Sequence, residues 1–512
     1  MKNFRRKYIK RIIFYILVFL TSIIFTLINY KIKNFGSVSI DELFFYFFNG
    51  IGGANTAAFY PSLLKNLIPF VVIFFILVSP SINIVSDKMS IIINFKTKKK
   101  NHRLKINPAY IQKKCLIAYI LLAFISSIAS SVVVLDLYNY IIAKNTSSNL
   151  FQDNYIDTKN IHLEFPDKKR NVIHIYLESM ENSLLSKKNG GNSSQSVTPE
   201  LEEIALDSST LFSKTNNIGG LLPVYGTTWT VGGMVAQSSG VPILNIDYDI
   251  NDLGKFNKFL PGVYSLGEIL KKEGYYQEIM MGSEASFGGR DKYYQQHGDY
   301  KIFDLNTAKS QGKIPNDYFV WWGFEDKKLF EYAKEELSSI VKTNQPFNFE
   351  LLTADSHFID GYLDPSCAIK FDNQYKNVYA CSSKQVSDFI NWIKEQDFYK
   401  DTTIIITGDH LGMQTSFYEG LSNDNYERTI YSAIINSAKE PVNKVERKFS
   451  SLDLFPTTLS SMGVTIEGDR LGLGVDLFSD KKTLIENYGI DYVNLELQKR
   501  SVFYNSNIFY PR

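Results

Sequence analysis

Three long uncharged stretches occupy the first part of the chain. They run over residues 12–30, 66–86 and 115–135, and each is close to the roughly 20 residues that a helix needs to cross a bilayer. The pattern predicts about three transmembrane helices within a membrane region at residues 1–143. A cleavable signal peptide is the alternative for the first stretch, but its apolar run is long for one and no small-residue cleavage site follows it.

The remainder of the chain alternates between two other patterns. Short runs rich in β-branched and aromatic residues lie at 171–177, 276–281, 347–353, 402–407 and 431–435. Helical patterns lie at 198–206, 263–273, 326–341, 377–395 and 452–462. This alternation predicts an α/β domain with a mostly parallel central sheet and helices on both faces. We expect a polar linker at 144–170, the domain at 171–480 and its C-terminal extension at 481–512.

The formal net charge of +2 hides an uneven distribution. Residues 1–142 hold 18 lysine and arginine residues against four acidic residues, whereas residues 143–512 hold 37 against 49. Most basic residues of the first part precede the first apolar stretch or lie between the second and third. This placement predicts a cytoplasmic N-terminus and a large domain outside the membrane. The acidic charge of that outer part argues against nucleic acid as a partner.

Three cysteines among 512 residues exclude a disulfide-rich scaffold and cysteine-rich metal modules. Cys367 and Cys381 fall in the outer part, where an oxidising compartment permits a bridge; two free thiols are the alternative.

The aromatic segment 41–60, between the first two apolar stretches, is interpreted as an interfacial anchor rather than a substrate site.

Titratable side chains follow three of the predicted strands. They are Glu178 after 171–177, Asp355 and His357 after 347–353, and Asp409 and His410 after 402–407. Because ligands bind off the carboxyl ends of the strands in such sheets, we expect these residues to lie near one another. Carboxylates and imidazoles are suitable ligands for a divalent ion, although capping of a turn or helix is the alternative for each residue taken singly.

A candidate nucleophile lies in the glycine-led loop at 226–234 (GTTWTVGGM), which runs into a helical stretch. A threonine at this junction is next to backbone N–H groups that favour an anionic phosphate. A metal or a base can activate its hydroxyl group, whereas helix capping is the alternative role. These considerations leave Thr227, Thr228 and Thr230 as candidates.

Taken together, the motifs resemble those of the phosphoglycerol transferases in the alkaline phosphatase/sulfatase superfamily, which include lipoteichoic acid synthases and enzymes that modify periplasmic glucans. The resemblance covers about residues 165–480. The motifs are Glu178, the loop at 226–230, Phe287-Gly288-Gly289-Arg290-Asp291, His357, Gly408-Asp409-His410-Leu411-Gly412 and Asp453-Leu454-Phe455-Pro456-Thr457. Their form is most similar to that of the glucan-modifying branch. Lipoteichoic acid synthases have a tryptophan where this chain has Gly288, and five spans rather than three.

The resemblance implies an alkaline phosphatase/sulfatase-like fold with one bound divalent cation, Mn²⁺ or Mg²⁺. The implied ligands are Glu178, the nucleophilic threonine, Asp409 and His410. Matching the family pattern Gly-x-Gly-x-Thr puts the nucleophile at Thr230, with Thr228 as the second choice.

The remaining implied site residues handle the substrate. Arg290 and Asp291 correspond to a substrate-binding Arg-Asp pair, in which the arginine grips the phosphate or the glycerol. His357 corresponds to a histidine that holds the substrate or protonates the leaving group.

The implied reaction moves phosphoglycerol from phosphatidylglycerol to an extracytoplasmic glycan or polyglycerolphosphate acceptor through a phosphoglyceryl-threonine intermediate. The expected location is the bacterial cytoplasmic membrane, with several spans and the catalytic domain on the periplasmic or extracellular side. Two alternatives stay open: a phosphoethanolamine transferase acting on a lipid or glycan, and a non-catalytic membrane protein that binds lipids or glycans. Sulfate ester hydrolysis is disfavoured because no cysteine stands in the Cys-x-Pro-x-Arg context from which formylglycine is built.

Overall fold

The structure is a computed structural model that describes residues 2–36, 39–42, 45, 60–82, 90–97, 100–207, 209–244, 258–421 and 425–511. The chain forms two compact units. The first comprises Met1–Phe35 and Thr56–Asn139, and the second comprises Gly36–Asn55 and Tyr140–Arg512. Gly36–Asn55, which lies between the first two apolar stretches, therefore belongs to the second unit.

Three helices of the first unit are long and apolar enough to cross a membrane. The candidate spans are Arg11–Asn34, Leu64–Ser81 and Tyr110–Val134. The helices that contain them are Lys2–Asn34, Tyr60–Val78 with the 3₁₀ turn Ser79–Ser81, and Pro108–Val134. Their buried core is a small cluster of Phe14, Val18, Leu77 and Ile120, while many of their large apolar side chains are exposed. Exposed apolar faces on such helices are suited to contact with lipid.

The basic stretch between the second and third helices forms an antiparallel hairpin of strands β1 (Ile91–Thr97) and β2 (Lys100–Ile106). Most side chains of this hairpin are exposed. The sequence pattern did not predict it, because β2 is dominated by lysine, arginine and asparagine rather than by alternating apolar residues. The following helix, Leu137–Lys144, leads into the second unit.

The second unit contains twelve further strands within the described residues. They are β3 (Leu163–Glu164), β4 (Asn171–Leu177), β5 (Ser209–Thr210), β6 (Gly220–Leu221), β7 (Tyr276–Met281), β8 (Lys301–Phe303), β9 (Phe347–Leu352), β10 (Thr402–Gly408), β11 (Ile430–Ile435), β12 (Thr465–Ile466), β13 (Arg470–Leu471) and β14 (Gly474–Val475). Its helices are Leu150–Asn154, Pro199–Asp207, Thr230–Ser239, Leu266–Lys272, Arg290–Gln296, Leu305–Ser310, Asp326–Ile340, Gln374–Lys394, Thr415–Glu419, Leu454–Ser461, Leu484–Tyr488 and Ile490–Gln498.

A mixed eight-stranded sheet forms the centre of this unit. Its spatial order is β5-β11-β10-β4-β9-β7-β8, and β6 pairs with β11. The five strands β10, β4, β9, β7 and β8 run parallel, whereas β11 is antiparallel to β10, β5 and β6. The parallel strands place their carboxyl ends, and the loops that follow them, at one edge of the sheet.

Helices cover both faces of the sheet. Ile404 and Ile406 face one core together with the helices Pro199–Asp207, Asp326–Ile340 and Gln374–Lys394. Ile405, between them, faces a second core with the helices Leu266–Lys272 and Leu454–Ser461. A strand buried on both faces requires a continuous apolar run, and this explains the sequence TTIIITG of β10.

The predicted fold class is confirmed: apolar N-terminal helices precede an α/β domain with a mostly parallel sheet. Strands β4 and β7 have the predicted bounds, and β9, β10 and β11 differ from prediction by one residue at one end. The sequence pattern did not predict the short strands β5, β6 and β8, because two or three residues are too few to show a period of two.

The structure bears on two further predictions from the sequence, one for the stretch 144–170 and one for the two cysteines of the outer part. The stretch 144–170, expected to be a polar linker, contains the helix Leu150–Asn154 and strand β3, and Phe151 is 1% exposed. This stretch is therefore packed onto the second unit. Cys367 and Cys381 form a disulfide with a Cα–Cα distance of 5.7 Å, which excludes the alternative of two free thiols.

Candidate active site

Three of the residues expected to bind a metal meet at the carboxyl edge of the sheet. Glu178 directly follows β4, and Asp409 and His410 directly follow β10. These two strands are parallel neighbours over their full length. The three side chains are buried, and their ligand atoms all lie within 4.8 Å of one another. Strand pairing thus brings together residues that are distant in the sequence.

Thr230 completes this cluster. It is the first residue of the helix Thr230–Ser239, and its Oγ1 lies 3.3 Å from Glu178 Oε2 and 3.4 Å from His410 Nε2. The N-terminus of a helix presents unpaired N–H groups and the positive end of its dipole, which attract an anionic phosphate. A hydroxyl group at this point is suited to attack a phosphorus atom.

The separations within the cluster fit one small cation. His410 Nε2 lies 3.5 Å from Glu178 Oε1 and 3.4 Å from Asp409 Oδ2. Two ligands of a tetrahedrally coordinated ion are expected to be about 3.4 Å apart. Asp409 Oδ2 is buried and accepts no hydrogen bond from the described residues. A cation would satisfy that oxygen, and two carboxylates, an imidazole and a hydroxyl group form a suitable ligand set for a divalent ion.

Hydrogen bonds orient the ligands. His410 Nδ1 lies 2.7 Å from the carbonyl oxygen of Leu411, so it carries the proton and leaves Nε2 as an electron-pair donor toward the cluster. Asp409 Oδ1 accepts hydrogen bonds from the backbone N–H groups of Ser179 and His410, each at 2.8 Å.

The cluster is strongly negative. Burial, together with the neighbouring Glu178 carboxylate, raises the pKa of Asp409 to about 7, although His410 and the two backbone hydrogen bonds oppose the shift. Burial lowers the pKa of His410, but the charges of Asp409 and Glu178 outweigh burial, so the net shift is upward. Both shifts report uncompensated negative charge in a buried place, which a divalent cation would neutralise.

Glycine lets the helix of Thr230 approach the backbone of Asp409 closely. A Cβ atom at Gly233 would lie 2.0 Å from the carbonyl oxygen of Asp409. One turn further along, Gln237 Nε2 donates to the carbonyl oxygen of Gly408 at 3.1 Å, and Gln237 Oε1 accepts from Thr407 Oγ1 at 2.7 Å. Backbone contact and side-chain hydrogen bonds together set the position of the helix that begins with Thr230.

His357 lies in the loop after β9 and is partly buried. Burial, with smaller contributions from the nearby charges of His410 and Arg290, lowers its pKa to about 4, although the hydrogen bond to the Phe358 carbonyl and the charge of Asp409 oppose the shift. His357 therefore lies within electrostatic range of the cluster. Its Nδ1 lies 2.8 Å from the carbonyl oxygen of Phe358. At neutral pH the ring is therefore neutral, with Nε2 able to accept a proton.

Arg290 is almost completely buried, and hydrogen bonds hold its guanidinium group. Nε donates to the carbonyl oxygen of Phe287 at 3.0 Å, and Nη2 donates to Ser283 Oγ at 3.1 Å and to the carbonyl oxygen of Glu284 at 2.8 Å. Gly288, two residues before Arg290, adopts a left-handed conformation with φ of +68°, which glycine tolerates best. The loop therefore presents a fixed positive charge near His357.

Two expected residues have other surroundings. Asp291 is partly buried at the start of the helix Arg290–Gln296, and its Oδ1 accepts from the backbone N–H of Lys292 at 2.8 Å. Within the described part of the chain, neither Asp291 nor Thr228 forms a hydrogen bond with the cluster. Thr227 Oγ1 donates to the carbonyl oxygen of Val224 at 2.9 Å and stabilises the loop. Among the three threonines, the geometry favours Thr230 as the nucleophile.

An aromatic side chain beside His357 was not predicted from the sequence. The ring of Trp322 lies 4.3 Å from that of His357 and 5.3 Å from that of Phe287, measured between centroids. The Arg290 guanidinium lies 5.7 Å from the centroid of the same Phe287 ring. Trp322 thus lines the side of the site that holds His357 and Arg290. The available signal was a pair of adjacent tryptophans before a glycine at 321–323.

A buried ion pair, also not predicted, supports the loop that carries Asp409 and His410. Glu181 is fully buried and accepts hydrogen bonds from Arg428 Nε at 2.9 Å, from Arg428 Nη2 and from the backbone N–H of Gly412 at 2.9 Å. Arg428 Nη2 also donates to the carbonyl oxygen of Gly412 at 2.7 Å. The pair fixes Gly412, two residues after His410.

Comparison with known proteins places this site in a family. The model of the family described as Sulfatase matches residues 170–464, more than half of the chain. The chain belongs to the sulfatase family. The sulfatase-family match includes Glu178, Thr230, Asp409 and His410, and it confirms the expected membership of the alkaline phosphatase superfamily.

The relatives of this sulfatase-family chain include phosphoglycerol transferase I from Escherichia coli (strain SMS-3-5 / SECEC). The identity is 31% over 319 residues, which are 60% of this chain and 39% of the relative. The chain therefore spans well under half the length of that relative.

Two solved structures are similar at lower identity. The lipoteichoic acid synthase LtaP from Listeria monocytogenes is 19% identical with a TM-score of 0.47, over 64% of this chain and 80% of that one. The lipooligosaccharide phosphoethanolamine transferase A (EptA) from Neisseria meningitidis is 13% identical with a TM-score of 0.49, over 95% and 87%.

Proposed function

We propose that this protein transfers phosphoglycerol from phosphatidylglycerol to an extracytoplasmic glycan or polyglycerolphosphate acceptor, with Thr230 as the nucleophile. The observation that carries the proposal is the position of Thr230 Oγ1 at a helix N-terminus, 3.3 Å from Glu178 and 3.4 Å from His410. A hydroxyl group among metal-type ligands and beside an anion-binding helix end is suited to phosphoryl chemistry. Similarity to a phosphoglycerol transferase supports the choice of the transferred group.

Glu178, Thr230, Asp409 and His410 are proposed to hold one divalent cation, Mn²⁺ or Mg²⁺. When bound, such an ion would lower the pKa of the Thr230 hydroxyl and offset the negative charge of the phosphate oxygens. The contribution of the chain is to hold four donors together and, through the hydrogen bond from His410 Nδ1 to Leu411, to direct Nε2 toward the ion.

In the first step, Thr230 Oγ1 forms a bond to the phosphorus of phosphatidylglycerol, and the bond from phosphorus to the diacylglycerol oxygen breaks. Thr230 loses a proton and the diacylglycerol oxygen gains one. We assign this transfer to His357, which is neutral before substrate binds because burial lowers its pKa to about 4. The anionic phosphate would raise that pKa. The imidazole could then take the proton from Thr230 Oγ1 and afterwards give it to the diacylglycerol oxygen.

Arg290 and Asp291 are proposed to hold the donor. The fixed guanidinium of Arg290 suits the phosphate oxygens, and the adjacent Asp291 suits the glycerol hydroxyl groups. In the second step, the acceptor hydroxyl attacks the same phosphorus and loses its proton to His357. The bond from phosphorus to Thr230 Oγ1 then breaks, and Thr230 takes up the proton that His357 holds, which restores both residues.

The proposed location is the bacterial cytoplasmic membrane, with several spans and the catalytic domain on the periplasmic or extracellular side. Three candidate spans would keep the domain at the bilayer that contains the donor lipid. The distribution of lysine and arginine supports the outward orientation of the domain. We assign residues 1–143 to the membrane region and residues 171–480, with their extension at 481–512, to catalysis.

The test measures diacylglycerol released from phosphatidylglycerol vesicles by the full chain in detergent with Mn²⁺. We expect Thr230→Ala to reduce release by about a thousandfold or more, because the nucleophile is lost. Thr230→Ser should retain part of the activity. Thr228→Ala is the matched control, since it removes a neighbouring hydroxyl group, and it should retain activity to within about threefold.

Parallel reactions with phosphatidylethanolamine test the choice of donor. Faster release from phosphatidylethanolamine would replace the proposed donor with a phosphoethanolamine donor. Absence of release from both lipids would contradict the transferase proposal.

A further inference from the structure

A short segment outside the sulfatase-family match contacts the loop that leads to Thr230. Asp41 and Phe45 belong to Gly36–Asn55, which is part of the second unit, and they are 2% and 4% exposed. The aromatic composition of 41–60 indicates an interfacial anchor, but buried Asp41, Glu42 and Phe45 do not fit that prediction. The other residues of 43–59 lie outside the described part of the chain. The described residues pack against protein.

The carboxylate of Asp41 is held by three donors. Oδ2 accepts from the hydroxyl group of Tyr225 at 2.5 Å and from Lys144 Nζ at 3.0 Å, and Oδ1 accepts from the hydroxyl group of Tyr140 at 3.1 Å. Burial and the charge of Asp41 raise the pKa of Tyr225, so its hydroxyl group stays protonated and continues to donate. A buried carboxylate with a cationic partner and two hydroxyl donors is well compensated, and its geometry is well defined.

The same segment contacts both ends of the loop before the nucleophile, residues 225–229. Tyr225 is its first residue, and Trp229 is its last and directly precedes Thr230. The Phe45 ring lies 5.8 Å from the Trp229 ring and 6.4 Å from the Phe259 ring, measured between centroids. Trp229 is 1% exposed, and Phe45 is one of the side chains packed against it.

We infer that Asp41 is a positioning residue for Thr230, acting through Tyr225, and that Phe45 supports it by packing on Trp229. The inference rests on the proposed role of Thr230 as the nucleophile. A reacting oxygen must be held close to its in-line position, and a small displacement costs rate without changing substrate affinity. The segment between the first two spans therefore completes the active site of the sulfatase-family domain.

The test compares three variants of the full chain in detergent. Asp41→Asn removes the charge, and Tyr225→Phe removes the hydroxyl group that joins Asp41 to the loop. Tyr140→Phe is the matched control, because it removes a hydrogen bond to the same carboxylate without touching the loop. We expect kcat for diacylglycerol release to fall about tenfold in the first two variants and less than about twofold in the control. KM for phosphatidylglycerol should stay unchanged in all three.

Two further measurements separate positioning from general loss of stability. The double variant of Asp41→Asn with Tyr225→Phe should be no slower than either single variant, because both remove one interaction. Amide hydrogen exchange should accelerate in peptides that cover 225–232 in the first two variants, but not in the control and not in the helix Asp326–Ile340.

Unchanged kcat and unchanged exchange in Tyr225→Phe would overturn the inference, as would additive effects in the double variant. If the wild-type chain releases no diacylglycerol, the proposed function fails. Hydrogen exchange still decides in that case whether Asp41 holds the loop.

Discussion

Glu181 carries a buried negative charge directly beneath the loop of Asp409 and His410, and Arg428 compensates it. The charge of Glu181 raises the pKa of Arg428 although burial lowers it. The arginine also lies over the Tyr418 ring, 4.2 Å from its centroid. The pair thus joins an ion pair, an aromatic contact and the backbone of Gly412.

Removing the arginine should therefore destabilise the domain. We expect Arg428→Ala to lower the free energy of unfolding by about 2–3 kcal/mol, because it leaves Glu181 buried without a cation. Lys271→Ala is the matched control, since its ion pair with Asp299 is exposed and should contribute less than about 1 kcal/mol. Thermal unfolding of the full chain provides the measurement, and equal midpoints for the two variants would contradict the assignment.

His174 gives a prediction about pH. It lies within β4, its Nε2 is 2.9 Å from Thr407 Oγ1, and burial lowers its pKa from 6.5 to about 3. Between these values the unfolded chain binds a proton that the folded chain does not. The contribution of neutral His174 to stability is therefore complete above about pH 6.5 and is lost progressively as the pH falls toward 3.

Replacement of this histidine should flatten the pH dependence. We expect the decline in stability of His174→Gln between pH 6.5 and 4.5 to be shallower than that of wild type by up to about 1.4 kcal/mol per pH unit. Unfolding midpoints across this range provide the measurement, with His162→Gln at an exposed position as the control. Identical slopes in wild type and His174→Gln would show that this histidine does not titrate as described.

At the scale of elements, the site depends on how closely the helix Thr230–Ser239 approaches the loop after β10. Gly233→Ala would force a Cβ atom to within 2.0 Å of the carbonyl oxygen of Asp409, so the helix or the loop must move. We expect loss of at least about 90% of diacylglycerol release and weaker Mn²⁺ binding. Gly420→Ala is the control, because the nearest atom to its Cβ would be 3.3 Å away at an exposed helix end.

Mn²⁺ binding by calorimetry and lipid release both measure this displacement. Wild-type values for both in Gly233→Ala would mean that the close approach is not needed for the site.

Much of this architecture could be predicted from the sequence, for a physical reason. Strands buried on both faces need uninterrupted apolar runs, which makes β4 and β10 visible, and parallel strands end at the same edge of the sheet. The meeting of Glu178 with Asp409 and His410 follows from these two facts. The presence of β5, β6 and β8 does not, because such short strands carry no periodic signal, and the direction of β11 does not, because an apolar run shows burial but not strand direction.

Contacts between distant loops also could not be predicted from the sequence. Trp322 reaches His357 through a turn whose residues show no pattern, and Asp41 reaches Tyr225 across 184 positions of the chain. The choice of Thr230 among three neighbouring threonines required knowledge of where the helix begins. Helix starts depend on local backbone geometry, which three threonines within four positions do not specify.

At the scale of the whole molecule, three apolar helices precede the sulfatase-family domain, for which we propose a lipid phosphate as the substrate. The uneven placement of lysine and arginine predicts that the N-terminus is cytoplasmic and that the second unit is outside. In spheroplasts, protease should degrade the second unit and leave an N-terminal tag intact. Inverted membrane vesicles should show the opposite result, and digestion of the tag in intact spheroplasts would contradict the predicted orientation.

The central claim is that Thr230 accepts the phosphoglycerol group, and the mass of the protein tests it most directly. The full chain is incubated with phosphatidylglycerol and Mn²⁺ without an acceptor, and tryptic peptides that cover 226–239 are sequenced by mass spectrometry. The account predicts a mass increase of about 154 Da, glycerol phosphate less water, located on Thr230 and absent from Thr230→Ala. An adduct on Thr228, or sustained release of diacylglycerol by Thr230→Ala, would contradict it.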